Sequence, residues 1–164
     1  MFLTLCMVLP FITAGVPQIG NMLCPMHIPV LLCGFVLGPQ YGAVIGIIAP
    51  LMRSVLVGVP PIYPIAAAMA FELCTYGLVS GLTNKLFPKK YGYIYLSLVI
   101  SMLSGRAVWG AARFIMAGLS GSGFGFEAFI AGAFTSAVPG IILQLVLIPP
   151  MTVVLRKIKD SIAK

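Results

Sequence analysis

The sequence predicts an all-α membrane protein in which six transmembrane helices form a single bundle. Three observations predict this class. The 164 residues are 60% hydrophobic and only 8% charged, whereas about a quarter of the residues in a soluble domain are charged. The apolar runs are long enough for membrane-spanning helices, and the chain lacks the alternating segments of an outer-membrane barrel. At about 20 residues per span, one domain of residues 1–164 leaves no room for a soluble enzyme or nucleotide-binding domain.

The first three predicted helices cover residues 2–14, 27–37 and 41–57. A cleaved signal peptide is an alternative for the first, because Thr13-Ala14-Gly15 resembles a small-residue cleavage site, but no basic segment precedes it. Residues 15–26 form a loop broken by proline and glycine. This loop is too apolar for a solvated linker, so we expect it to fold back over the bundle. Gly42 and Gly46 are spaced for close packing of the third helix.

The last three predicted helices cover residues 65–82, 93–117 and 128–155. A stiff turn, Gly58-Val-Pro-Pro-Ile-Tyr-Pro64, precedes the fourth helix. A basic loop at residues 84–92 joins the fourth helix to the fifth, and a Gly/Ser-rich turn at 118–126 joins the fifth to the sixth. These loops complete the six-helix plan.

The net charge of +7 is concentrated in two segments. Lys85, Lys89 and Lys90 share one loop, and residues 156–164 form a basic tail. Positively charged loops stay in the cytoplasm, so six helices place both termini there. The loops 15–26, 58–64 and 118–126 then face outward, and none contains lysine or arginine. The charge therefore indicates topology, and it does not indicate a nucleic-acid partner.

Three residues of the fifth helix carry the strongest functional signal. Arg106, Trp109 and Arg113 are spaced i, i+3 and i+7, so on a helix they form one stripe. Two guanidinium groups at membrane depth need a protein-lined or watery cavity and usually an anionic or hydrogen-bonding partner. We expect the rest of the bundle to build that cavity.

Helical rise relates the charged residues of different helices by depth. Glu72 is predicted about 12 Å below the outer start of helix 4, and Arg106 roughly 16 Å down helix 5, while Arg53 and Arg113 each lie about 6 Å inward. Glu72 is the only acidic residue in a predicted span, and pairing with Arg106 would offset its burial cost. Arg113 is then the candidate for a ligand's negative charge. Alternatively, these arginines bond backbone carbonyls at helix breaks or extend to lipid headgroups.

Other polar residues complete the candidate set. Tyr63 fits an interfacial aromatic better than a ligand contact, and Gln18, Asn21 and His27 flank the outer loop, where they are candidates to cap a pocket. The predicted substrate-binding residues are Arg53, Glu72, Arg106, Trp109, Arg113, Tyr63, Asn21, His27 and Gln18. Gln144 is expected to make an interhelical hydrogen bond. The four cysteines lack Cys-x-x-Cys spacing and there is one histidine, so we predict no metal, no cofactor and no catalytic group.

Several segments resemble a known family. They are His27-Ile-Pro-Val-Leu-Leu-Cys-Gly-Phe-Val-Leu-Gly-Pro-Gln-Tyr-Gly-Ala-Val-Ile-Gly, Gly58-Val-Pro-Pro and Met69-Ala-Phe-Glu-Leu-Cys-Thr-Tyr-Gly-Leu-Val-Ser-Gly. They are similar to the substrate-binding S components of energy-coupling factor (ECF) vitamin transporters of prokaryotic plasma membranes. The resemblance implies an outward-facing vitamin pocket between the outer halves of helices 4 to 6, covered by the loops after helices 1 and 3. It also implies docking on a transmembrane T component with two ATPase subunits, which would hydrolyse the ATP.

One departure from the family pattern concerns docking. Many members carry an Ala-x-x-x-Ala patch on helix 1, whereas Ala14 is the only alanine before Gly15. The resemblance therefore does not extend to that patch.

The arginines favour a substrate with an anionic group, such as pantothenate, and a B6-type or pyrimidine vitamin stacked on Trp109 is the alternative. An intramembrane enzyme would need an acid/base pair, and the sequence suggests no histidine at the depth of Glu72. A channel or stand-alone secondary transporter would show inverted repeats, and we find no convincing internal repeat. The S-component interpretation therefore fits the sequence best.

Overall fold

The computed structural model describes residues 1–13, 25–88, 91–120, 125, 131 and 138–162. These residues contain six α-helices and no strand, which confirms the predicted all-α class. The helices are α1 Phe2–Thr13, α2 His27–Leu37, α3 Pro39–Val57, α4 Ala67–Leu86, α5 Tyr91–Ser120 and α6 Val138–Ile162. A single π-helical turn, Ile62–Ala66, leads into α4.

Several predicted helix ends are wrong by a few residues. The third helix begins at Pro39 rather than at residue 41, because proline suits the first helical position. The fourth continues past residue 82 to Leu86. It ends there because Phe87 precedes a proline and adopts an extended conformation, with φ −94° and ψ 149°. The fifth helix, predicted at residues 93–117, begins earlier and ends later, at Tyr91 and Ser120. The sixth continues beyond the predicted residue 155 to Ile162.

Four segments are long and apolar enough to cross a membrane: Pro39–Val57, Ile62–Leu86, Tyr91–Gly118 and Val138–Ile158. The other two helices are shorter. Helix α2 has 11 residues, about 16 Å of rise, against a hydrocarbon core of about 30 Å. Large apolar side chains lie on the outside of the bundle, with Val55 73% and Leu56 67% exposed. The chain is therefore a multi-pass membrane protein.

Helix α4 is the centre of the bundle and packs against α2, α3 and α5. Glycines bring α3 and α4 together, since a Cβ atom on Gly77 would overlap the backbone of Gly42. One turn further along α3, a Cβ atom on Gly46 would overlap the backbone of Leu73. Small residues at these positions allow direct backbone contact between two membrane helices.

The C-terminal ends of α2, α4 and α6 meet on one side of the bundle. The Asn84 amide Nδ2 donates a hydrogen bond of 2.7 Å to the carbonyl oxygen of Phe35. The Arg156 guanidinium donates to Oδ1 of the same Asn84 side chain. We call this end of the bundle the Asn84 side. A six-helix topology requires these three ends to share a side, and its assignment to the cytoplasm remains a prediction.

Candidate functional site

A buried carboxylate lies at the centre of the bundle. Glu72 is 1% exposed. Its Oε1 atom is 2.9 Å from Nη1 of Arg106 and accepts a 2.9 Å hydrogen bond from the Tyr76 hydroxyl. Arg106 is itself 7% exposed. The pairing of Glu72 with Arg106 that helical rise predicts is therefore present in the structure.

His27 joins this pair from α2. Its Nε2 atom lies 3.5 Å from Oε1 of Glu72, and its ring centroid is 5.2 Å from that of Tyr76. The expectation that no histidine reaches the depth of Glu72 is thus wrong. The physical reason is the length of α2, which is too short to cross the bilayer and begins inside the bundle. We call Glu72, Arg106, His27 and Tyr76 the Glu72 cluster.

Local sequence explains why Tyr76 belongs to the cluster. Tyr76 follows Glu72 by four residues on α4, so both side chains lie on one helix face. Gly105 makes room for the tyrosine on the neighbouring helix, because a Cβ atom there would overlap the Tyr76 ring. Sequence reasoning missed Tyr76, although its i, i+4 spacing from the only acidic residue of the spans was a usable signal.

The Glu72 cluster has the composition that makes a buried charge tolerable. A carboxylate inside a membrane bundle is costly unless an opposite charge and further hydrogen bonds compensate it. Here the guanidinium supplies the charge and the Tyr76 hydroxyl supplies a hydrogen bond to the same oxygen. Three helices, α2, α4 and α5, each contribute to the cluster, which therefore holds their relative positions.

Arg53 lies apart from this cluster. Its Nε atom donates a 3.2 Å hydrogen bond to the carbonyl oxygen of Val59, and its guanidinium lies 5.9 Å from the centre of the Phe11 ring. The next residue, Ser54, donates a 2.5 Å hydrogen bond to the carbonyl of Pro60. Arg53 thus binds a backbone carbonyl at a helix end, which is the alternative that the sequence left open.

The remaining described candidates are Tyr63, in the turn before α4, and Trp109 and Arg113, in the second half of α5. Tyr63 is 52% exposed, and its hydroxyl donates a 3.0 Å hydrogen bond to the carbonyl of Met116, which ties the turn before α4 to the end of α5. Trp109 and Arg113 are half-buried. Arg113 lies seven residues beyond Arg106, about 10 Å further from the Asn84 side. Gln18 and Asn21, with most of the predicted covering loop, lie outside the described residues.

A cleft on the Asn84 side is a different feature. It has no room for a water molecule, whereas ligand pockets have volumes of roughly 300–1,000 Å³. It is lined by Asn84, Phe87, Pro88, Tyr93, Ile94, Ser97 and Arg156. None of these is a predicted site residue, so we do not assign the substrate to this cleft.

Apolar helices around a buried, charged cluster define a polytopic α-helical membrane protein. Comparison with known protein families identifies the family within this class. The family described as ECF transporter, substrate-specific component, matches residues 1–152. The chain belongs to this family, whose members are substrate-binding subunits of transporters rather than enzymes. No curated protein and no solved structure matches the chain.

Proposed function

We propose that this chain captures a small, water-soluble vitamin with an anionic group, pantothenate being the first candidate, for uptake by an ECF transporter. The pairing of Glu72 with Arg106 supports this substrate class, because it assigns Arg106 to the protein's own carboxylate and makes Arg113, seven residues further along the same stripe of α5, the candidate for the substrate. A guanidinium can bind a carboxylate or phosphate on the substrate through two parallel hydrogen bonds.

The candidate residues then divide into two groups. Arg113 and Trp109 are proposed to contact the substrate, while the Glu72 cluster sets the position of α5 beneath them. Tyr63 and Arg53 hold the turn after α3, at the edge of the site. Gln18 and Asn21 are proposed to contribute from the loop that covers it. Apart from Arg113 and Trp109, the candidate residues are therefore proposed to act through the shape of the site.

The transport step requires partners. The proposed assembly contains a transmembrane T component and two ATPase subunits, which bind and hydrolyse ATP, in a prokaryotic plasma membrane. The chain itself would be a single membrane domain over residues 1–164, with both termini in the cytoplasm. The Asn84 side then faces the cytoplasm, which agrees with the basic residues Lys85, Arg156 and Lys157 near it.

A B6-type or pyrimidine vitamin is the second candidate. Trp109 lies on the same helix stripe as Arg106 and Arg113 and is half-buried. An indole in that place can stack against a flat heterocycle. The two candidates differ in charge and in aromaticity, so a panel of ligands separates them.

Equilibrium binding to the detergent-purified chain tests the proposal. Radiolabelled pantothenate, pyridoxine and thiamine would be compared on wild-type protein, Arg113→Ala, Arg106→Ala and Lys85→Ala. Losing a charge-assisted hydrogen bond should weaken pantothenate binding by about 10- to 100-fold in Arg113→Ala. The exposed Lys85 on the Asn84 side is the control, and its substitution should leave affinity unchanged.

Two results would contradict the proposal. Unchanged pantothenate affinity in Arg113→Ala would remove that residue from the site, and the same result in Arg106→Ala would remove the cluster. Binding of pyridoxine or thiamine alone would favour the aromatic substrate. Copurification of a T component and ATPases with the tagged chain would distinguish an ECF subunit from a stand-alone transporter.

A further inference from the structure

Two polar side chains of α6, those of Gln144 and Thr152, are buried in the bundle. Gln144 is 1% exposed, and Ile148 and Thr152 are each 0% exposed. Their four-residue spacing places all three on the face of α6 that packs into the bundle. Ile148 belongs to the apolar core, so Gln144 and Thr152 are polar residues in otherwise apolar surroundings.

Among the residues that the structure describes, the carbonyl oxygen of the Gln144 side chain, Oε1, has no hydrogen-bond partner, and neither does Oγ1 of Thr152. The interhelical hydrogen bond expected of Gln144 is therefore not made through Oε1. Buried polar atoms are nearly always hydrogen-bonded in folded proteins, so each exception needs an explanation. An acceptor awaiting a donor from a bound molecule is one such explanation.

Helical register places Gln144 at the level of the Glu72 cluster. Asn84 of α4 and Arg156 of α6 are in contact. Glu72 precedes Asn84 by twelve residues and Gln144 precedes Arg156 by twelve, about 18 Å of rise on each helix. On α5, Ile94 lines the same cleft as Asn84 and Arg156. Arg106 follows Ile94 by twelve residues, so it reaches the same level. Thr152 lies only four residues from Arg156, so it is about 6 Å from the Asn84–Arg156 contact and well below the Glu72 cluster.

We propose that Oε1 of Gln144 accepts a hydrogen bond from a neutral donor, a hydroxyl or an amide N–H, on the same substrate whose anionic group binds Arg113. This inference rests on the proposed function and narrows its substrate class. Arginine can only donate hydrogen bonds, whereas Gln144 offers a neutral acceptor. The substrate must then carry both an anion and a separate donor. Arg113 lies about 10 Å beyond the level of Arg106, so the two groups lie well apart in an elongated molecule, as in pantothenate.

The test combines affinity with ligand-free stability. Binding of [14C]pantothenate and thermal unfolding without ligand would be measured for wild-type protein, Gln144→Met and Thr152→Val. Gln144→Met should bind pantothenate at least about tenfold more weakly, while its ligand-free Tm should equal or exceed that of wild type, because an unsatisfied buried atom has been removed. Thr152→Val is the matched control, with the same burial on the same face, and should keep wild-type affinity.

Each other outcome is decisive. Equal pantothenate affinity of wild type and Gln144→Met would overturn this inference and leave the proposed function intact. A ligand-free Tm for Gln144→Met well below that of Thr152→Val would show that the amide is bonded within the protein, and would also overturn it. Failure of wild-type protein to bind pantothenate would overturn the proposed substrate, and with it the donor that Gln144 requires.

Discussion

The guanidinium of Arg106 lies 2.9 Å from the carboxylate of Glu72, and both residues are more than nine-tenths buried between α4 and α5. His27 of α2 approaches the same carboxylate oxygen to 3.5 Å. One acidic side chain thus connects three helices in the interior of a membrane bundle. Removing one partner of a buried ion pair leaves the other charge uncompensated, so the loss of either residue alone should lower stability measurably.

Glu72→Met should be strongly destabilising. It leaves the Arg106 charge buried without its carboxylate, at an expected cost of about 3–5 kcal/mol. The double variant Glu72→Met/Arg106→Met removes both charges and should recover most of that loss, because apolar side chains of similar volume replace the pair. Denaturant or thermal unfolding in detergent micelles gives the comparison. The single variant Arg106→Met completes the cycle, and a double variant whose loss equals the sum of the two single losses would show that the two residues are not energetically coupled.

Gly77→Ala should separate α3 from α4. The added methyl group would meet the backbone of Gly42 rather than a flexible side chain, so the helices must move apart, at about 1–3 kcal/mol. Gly92→Ala is the control, since nothing lies within 4 Å of a Cβ atom at that helical position. It should leave stability unchanged or raise it by up to about 1 kcal/mol. Equal effects of the two substitutions on Tm would contradict close packing at Gly77.

Asn84→Leu should lower stability without weakening substrate binding. The substitution removes the hydrogen bond to the carbonyl of Phe35 and the acceptor for Arg156, at a cost of about 1–3 kcal/mol. The Glu72 cluster lies about 18 Å away along α4, so the affinity for pantothenate should stay unchanged. Tm and pantothenate affinity would be measured beside Lys85→Ala, whose exposed neighbouring side chain should affect neither. A parallel loss of affinity would show that the two ends of the bundle are coupled.

Part of the site could be predicted because depth in a membrane follows from position along a helix. Counting residues at 1.5 Å each brings Glu72 and Arg106 to a similar level, and the structure shows them in contact. The same counting fails for His27, since it requires knowing where α2 begins relative to the bilayer. Counting also cannot select the partner of Arg53, whose hydrogen bond to Val59 depends on how the chain turns after α3.

The sequence by itself determined the class of the protein, because an apolar chain with 8% charged residues cannot coat a soluble globule and must place its helices in lipid. It also determined the six helices found in the described residues and the family that the chain resembles. Only the tertiary structure decided which polar groups meet. Hydropathy and helical period are local properties, whereas contacts such as Tyr76 with Glu72 and His27 depend on the rotation and separation of neighbouring helices. Those are set by packing at positions such as Gly77 and Gly105, where the absence of a side chain brings another helix close.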